Sequence, residues 1–186
     1  QRQMCIRDSY DTPKELGKKW QMDVKYVPSA CYAGEDGEKF YQYTMLEEAS
    51  RKRFIYAYRE TGGYSTCDFV KRAIIWFGYA PDTIQTDNGG EFTHTKKTKR
   101  IHPFDSLCAE LHITHKLIRP RTPWHNGKVE RSHRNDQEPF YNHLSFYSYE
   151  DLQIQMKRYL YRSNNIPMAV LGWKSPNQKQ REMETA

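Results

Sequence analysis

Three acidic residues stand in settings where carboxylates can do chemistry. Asp23 lies in the middle of Trp20-Gln21-Met22-Asp23-Val24-Lys25-Tyr26, a run that alternates apolar and polar residues. Asp87 closes a short apolar segment and is followed by Asn88-Gly89-Gly90, a turn signal. Glu130 comes just after Arg119 to Gly127, a stretch with two prolines and a glycine. Each has an ordinary reading when taken singly. An Asp in a strand is usually solvated or paired, Asp-Asn-Gly-Gly is usually just a turn, and a Glu in a helix's first turn complements the macrodipole. Taken together, three carboxylates on separate elements can meet at one point, where they repel strongly unless a cation joins them. Hard cations such as Mg²⁺ or Mn²⁺ take oxygen ligands and suit such a set. The three are expected to converge to within metal-bridging reach, for ions roughly 3.5–4 Å apart. Glu130 is the one expected to stand off without metal or DNA, because the loop before it looks mobile.

The elements that must position these residues follow from the pattern. The alternation at 20–26 predicts a half-buried strand, with Asp23 on the face opposite Met22 and Val24. Glu35 to Glu38 reads as a turn. Lys39 to Leu46 and Arg53 to Arg59 are strand candidates rich in Tyr and Phe, which completes an antiparallel meander. Ser65 or Thr66 is expected to cap a helix running to Phe77. Phe69, Val70, Ala73, Ile74 and Phe77 are spaced for its buried face, and Gly78 ends it. Asp82 to Thr86 is predicted as a buried strand, Pro103 to His112 as a helix and Ile113 to Ile118 as a strand. A long helix is expected from Asn126 or Gly127 to His143, another from Tyr149 to Ser163, and an irregular tail after it. The order is β-β-β-α-β-α-β-α-α, an α/β fold.

The organisation expected is one catalytic core over residues 16–165, with a C-terminal extension over 166–186. Residues 1–15 are expected to be a disordered or non-native tail. The chain opens on Gln1, and Gln1 to Asp11 has no clear periodicity, so it reads as a fragment.

Composition narrows the class. Of 186 residues, 29 are Lys or Arg and 23 are Asp or Glu, a formal charge of +6 that suits a phosphate-rich partner. The richest apolar stretch, Phe69 to Ala80, is broken by Lys71 and Arg72, short of the roughly 18 apolar residues a membrane helix needs. No membrane partner is expected. Cys5, Cys31, Cys67 and Cys108 form no C-x-x-C pair, which argues against a zinc knuckle and against a disulfide framework. Reduced thiols in a cytoplasmic protein are expected. There is no phosphate-cradling G-x-x-x-x-G-K-[ST] loop and no G-x-S-x-G elbow. Asp87 to Glu91 lacks the ligand spacing of a calcium loop. The seven histidines are scattered, and His112 and His115 read as surface or DNA-facing rather than as zinc ligands.

The text around the carboxylates is more specific than the carboxylates themselves. Thr86-Asp87-Asn88-Gly89-Gly90-Glu91-Phe92 resembles the second-aspartate motif of the superfamily of retroviral integrases and bacterial insertion-sequence transposases, the DDE enzymes. Pro123-Trp124-His125-Asn126-Gly127-Lys128-Val129-Glu130-Arg131 resembles the glutamate motif of its bacterial members. Gln21 to Tyr26 resembles the first-aspartate strand, and Ala169 to Pro176 resembles the segment closing many transposase cores. The resemblance runs from about Leu16 to Pro176. It implies a ribonuclease-H-like fold, a mixed five-stranded sheet flanked by helices. It also implies DNA cleavage followed by transfer of the freed 3′ hydroxyl to target DNA, using two Mg²⁺ or Mn²⁺ ions. Asp23 would bridge both ions, Asp87 would complete one and Glu130 the other. The implied partners are element ends, target DNA and further copies of the chain on DNA, in a bacterial cytoplasm. A catalytically inactive remnant that keeps DNA binding or self-association is the rival reading, and a stand-alone nuclease is a third.

Several residues are candidates for holding DNA. Glu130, His133, Arg134 and Gln137 are spaced for one helix face. Lys128 and Arg131 belong to the same stretch. Arg119 and Arg121 on the preceding loop could position a DNA end, and Asn126 matches the family position where a polar side chain commonly meets DNA. Forty-two residues separate Asp87 from Glu130, more than the commonest family pattern. Thr93 to Pro103 supplies much of the excess. It holds Lys96, Lys97, Lys99 and Arg100 with no acid and no hydrophobic period, so it should be an exposed loop that can grip phosphates. These are positioning contacts rather than a base-reading code.

Overall fold

Alternation sets the sheet. In a computed structural model describing residues 12–34, 37–96, 98–119 and 126–185, the first strand β1 is Trp20–Tyr26. Trp20 and Met22 are fully buried on one face, while Asp23 lies on the other. β2 (Tyr41–Glu47) and β3 (Arg53–Tyr58) complete an antiparallel meander, with Met22 opposite Met45 and Asp23 opposite Thr44. β4 (Thr83–Thr86) and β5 (Thr114–Leu117) run parallel to β1, giving the order β3-β2-β1-β4-β5. The mixed five-stranded sheet is as expected, with strand ends differing by a residue or two.

Each face of the sheet has its own cover. On one, α1 (Gly63–Phe77) and α2 (Pro103–Glu110) close a core of Trp20, Met22, Tyr43, Met45, Phe69 and Ile84. Burying a Phe or Val side chain contributes about 1.5–3 kcal/mol, so the stripe Phe69, Val70, Ala73 and Phe77 suffices to hold α1 down. On the other face, α4 (Tyr149–Ser163) lays Leu152, Met156, Tyr159 and Leu160 over Ile55 and Ala57. Beside α4 on that second face, over β1 and β2, lies α3 (Gly127–Asn135), whose buried residues are only Val129 and His133. No helix of the described residues is long and apolar enough to cross a membrane.

Four helix expectations need correction. α1 starts at Gly63 with Gly62 at its cap, and neither Ser65 nor Thr66 caps it. Thr66 is buried instead, and its hydroxyl donates to the Glu91 carbonyl at 3.0 Å, tying α1 to the segment after Asp87. The expected end of α1 at Gly78 is met, in the left-handed conformation that favours glycine (φ 82°). α2 stops at Glu110, two residues early, because His112 turns left-handed (φ 57°). α3 ends at Asn135 rather than His143. Pro139 lacks an N–H, clashes with the carbonyl four residues back and disfavours helix at Glu138, so only a short 3₁₀ turn, Tyr141–His143, follows. The tail is not irregular: it carries α5 (Pro176–Glu184), started by a capping box between Ser175 and Gln178 with Pro176 in the first turn.

The turn at Glu35 and Asp36 lies outside the described residues, as does the segment 1–11. From Thr12 onward the chain is fastened to the core. The Thr12 hydroxyl accepts from Lys128 Nζ at 2.9 Å, and the Gly17 N–H donates to buried Glu47 at 3.0 Å.

Candidate active site

The pairing of β1 with β4 is short. Trp20 faces Ile84 and Gln21 faces Gln85, and there the ladder ends. Asp23 and Asp87 each lie two residues further along, so the two parallel chains carry them to matched positions where the strands part. That parting leaves the Met22 carbonyl without a strand neighbour on that side. Asn126 takes it, donating from Nδ2 at 3.2 Å. The Val129 N–H in the first turn of α3 donates to Gln21 Oε1 at 3.0 Å. Two consecutive β1 residues thus pin the start of α3 beside Asp23, and Glu130 is the next residue of that helix.

The rest of α3 is held by polar groups. Lys128 reaches buried Glu48 at 2.7 Å, and Glu48 also takes Gln21 Nε2 at 2.8 Å and Lys19 at 3.3 Å. At the far end, Asp136 is fully buried and accepts from Arg53 Nη2 at 2.6 Å, Tyr159 Oη at 2.8 Å and Gln42 Nε2 at 3.2 Å. Burial opposes the Arg53 charge, but the Asp136 carboxylate outweighs it and raises the guanidinium's pKa. In the middle, the His133 ring lies between Asp23 and Thr44.

The three carboxylates share one electrostatic field. Burial raises the Asp87 pKa and Asp23 adds to it, although the Gly89 N–H pulls the other way from 2.9 Å. Burial also raises Glu130, followed by the charge of Asp23 and, more weakly, Asp87, with Arg134 and His133 opposing. Convergence to metal-bridging reach is not met, however. Among the described residues no three His, Cys, Asp or Glu side chains are close enough together to hold a metal ion. Like charges in a partly desolvated site push apart, and local donors hold two of them: Asp23 through the Val24 N–H at 2.9 Å, with the His133 ring beside its other oxygen, and Asp87 through Gly89. A set of hard oxygen donors that repel one another matches the needs of a divalent cation, which would draw them in.

Glu91 belongs to the same field. Its pKa is raised by burial and then by Asp87 and Asp23. It also explains Gly89, since a Cβ there would lie 2.8 Å from the Glu91 carboxylate carbon and both its oxygens. Gly89→Ala should therefore displace the Glu91 side chain, at a stability cost of at most about 0.5 kcal/mol because that end is flexible. The cost should vanish in a Glu91→Ala background, a double-mutant cycle readable by urea denaturation. Equal costs in both backgrounds would mean that Gly89 is needed for its backbone instead.

The expected DNA-facing residues divide. Lys96, Lys99, Arg100, Arg119, Arg131 and Arg134 are exposed. The stretch expected as a loop from Thr93 to Pro103 is a loop as far as His102, where α2 is capped, exposed from His94 to Ile101 where described and anchored at its ends by buried Phe92 and His102. Lys97 and Arg121 lie outside the described residues, as do Pro123, Trp124 and His125 of the glutamate motif. Asn126, Lys128 and His133 are corrected: they face inward and spend their polar groups on Met22, on Glu48 and on Asp23 with Thr44. Helical spacing shows which residues share a face, not whether a polar face looks at solvent or at a polar layer. Asn126 Oδ1 is buried without a partner among the described residues. His115 is also not a surface group, since it bonds Asp105 at 2.6 Å and Thr86 at 2.9 Å. Sequence reasoning did not single out Thr44, Gln42, Arg53 or Asp136; the first three meet His133 or Asp136 across 83 residues or more of chain.

Comparison with known proteins agrees with this architecture. Residues 13–123 match the family model of the integrase core domain, and residues 111–176 match a second integrase core domain model. The chain is 30% identical over 160 residues to the "Putative integrase ORF3" of Spiroplasma virus SpV1-C74, covering 81% of this chain and 43% of that protein. The chain thus spans less than half the length of the curated relatives it matches. Among solved structures, it resembles the HTLV-2 integrase catalytic core domain in complex with magnesium, in its trimeric form. The TM-score is 0.64 at 18% identity, over 88% of this chain and 96% of that one. A chain of the simian T-cell lymphotropic virus intasome, in complex with a PP2A regulatory subunit, gives 0.67 at 17% identity, over 90% and 55%. At such identities the structures speak for the shared ribonuclease-H-like fold.

Proposed function

The chain belongs to the integrase core domain family, and from that premise we propose that it is the catalytic core of an enzyme that cuts DNA and transfers the freed 3′ hydroxyl to a second DNA. Asp23, Asp87 and Glu130 are its metal-holding carboxylates. The observation that supports this reading is the register: Gln21 pairs with Gln85, so Asp23 and Asp87 each stand two residues beyond the ladder, and Asn126 and Val129 bond Met22 and Gln21 at the start of the helix that carries Glu130. Two Mg²⁺ or Mn²⁺ ions held there would stabilise the charge that develops on the attacking and leaving oxygens of a phosphodiester. The HTLV-2 relative in complex with magnesium supports that choice of ion.

The chain's own residues bind and orient the DNA. No side chain need act as nucleophile, because water and then a 3′ hydroxyl attack. Arg131 and Arg134 flank Glu130 on the exposed side of α3 and can hold phosphates near the scissile one. Trimeric and intasome forms among the relatives support assembly of several copies on DNA. The direct test incubates the purified chain with Mg²⁺ and oligonucleotides carrying the element's end, with Asp87→Asn as control. Cleaved and joined products that vanish in the control support the reading. DNA binding without any product would instead favour the inactive remnant.

The loop after Asp87 gives a separate expectation. The loop that follows the Asp87 turn carries Lys96, Lys97, Lys99 and Arg100 in sequence, and these form a sequence-independent clamp on DNA phosphates. Each phosphate contact steepens the dependence of log K on log salt by roughly 0.9 on duplex DNA. Replacing all four by Gln should flatten that slope by about 3.6 and leave sequence preference unchanged. An unchanged slope across a salt series would reduce the loop to a solvated insertion.

A further inference from the structure

His133 lies one turn beyond Glu130 on α3, yet its ring is buried against the sheet with 8% exposed. Its Nδ1 is 3.3 Å from Asp23 Oδ2, and its Nε2 is 2.8 Å from Thr44 Oγ1. Thr44 stands on β2 directly across from Asp23. The Thr44 hydroxyl accepts from Gln42 Nε2 at 2.9 Å and can donate its own hydrogen to His133 Nε2. When Nε2 accepts, the ring hydrogen is on Nδ1, the nitrogen 3.3 Å from Asp23 Oδ2. Gln42 is itself fixed, donating to Asp136 at 3.2 Å and accepting from the Tyr141 hydroxyl. A chain of hydrogen bonds therefore runs from the Arg53–Asp136 ion pair through Gln42 and Thr44 to the His133 ring, whose Nδ1 stands beside one oxygen of Asp23.

The geometry points to His133 as a positioning residue that couples two of the metal-holding carboxylates, orienting Asp23 directly and fixing Glu130 through the turn of helix they share. This rests on the metal-site reading above. A side chain on the Glu130 helix that also holds Asp23 sets the distance between β1 and α3 at the point where the site must form. Polar partners behind a metal-holding group typically matter by about 10–100-fold in metal affinity. Asn is the conservative replacement, since its Nδ2–H can occupy the place of the ring Nδ1–H while giving up Thr44.

The test measures Mn²⁺ binding by calorimetry on the whole chain, with a thermal melt of each variant. His133→Ala should weaken binding by about 10–100-fold. His133→Asn should recover most of that loss. Thr44→Val, which keeps the shape and removes the hydroxyl, should weaken binding less than His133→Ala. If His133→Ala binds Mn²⁺ as the unmodified chain does while Asp23→Asn does not, the coupling role is overturned and the metal site stands. If Asp23→Asn binds as tightly as the unmodified chain, or the unmodified chain binds no Mn²⁺, the metal site falls and the coupling role with it. Should His133→Ala fail to fold, the remaining variants decide. Near-normal affinity in Thr44→Val together with lost affinity in a folded His133→Asn would overturn the proposal.

Discussion

Replacing any one of Asp23, Asp87 or Glu130 by its amide is expected to abolish strand cleavage and joining while leaving the fold intact. Each change removes a charge and a hard oxygen donor but keeps the shape. Metal ions at such sites supply several kcal/mol of transition-state stabilisation, so the loss should be roughly 10³-fold or more in rate. The local bonds argue that folding survives. Asn at position 87 keeps the oxygen that accepts from Gly89, and Asn at 23 keeps one oxygen for the Val24 N–H while its NH2 replaces the oxygen that faces His133. Cleavage and joining of labelled oligonucleotides, with a urea melt of each variant, checks both halves. Near-normal activity in Glu130→Gln would require another third donor. Glu91 would then come first, because it already shares the field of Asp23 and Asp87, whereas Glu138 is exposed.

Much of the sheet was legible because its strands obey alternation. Trp20, Met22, Phe54, Tyr56 and Tyr58 face one side, and Ile55 and Ala57 the other, as period two demands. The helical stripe from Phe69 to Phe77 was readable for the same reason, and the motif text singled out the three proposed carboxylates. What period could not supply was pairing. Nothing in the sequence says that Gln21 meets Gln85, yet that register brings Asp23 level with Asp87. Nor does hydropathy find the layer beneath α3, where Glu48, Gln42, Arg53, Asp136 and His133 are all buried. Such residues read as surface until their partners are known, and the partners lie on other elements. The α5 cap was different: Ser175-Pro176-Asn177-Gln178 carried a start signal in plain sequence, and the missing apolar run after it hid the helix.

The same polar layer leads to the largest expected effect on stability, at Asp136. Its carboxylate is fully buried and meets a guanidinium whose side chain is 8% exposed. Assembling such a pair gains little, because desolvation offsets the attraction, but breaking it strands a charge. Asp136→Ala should therefore cost about 3–5 kcal/mol. A domain's total stability is about 5–15 kcal/mol, so the variant should sit near the edge of folding. The melting temperature should fall by roughly 6–20 °C. Asp82→Ala, which breaks the exposed pair with Lys18, should cost far less, since both side chains are more than half exposed. The double variant Arg53→Met with Asp136→Leu should be much less destabilised than Asp136→Ala, because no charge is then left without a partner. It should nonetheless lose activity. Tyr159 and Gln42 would lose their acceptor, and the end of α3 would lose the guanidinium that bonds both Asp136 and, at 3.5 Å, the Ser132 carbonyl. Stability restored with activity still low would separate the two roles of this pair, and activity restored along with stability would refute the claim that it fastens the helix bearing Glu130.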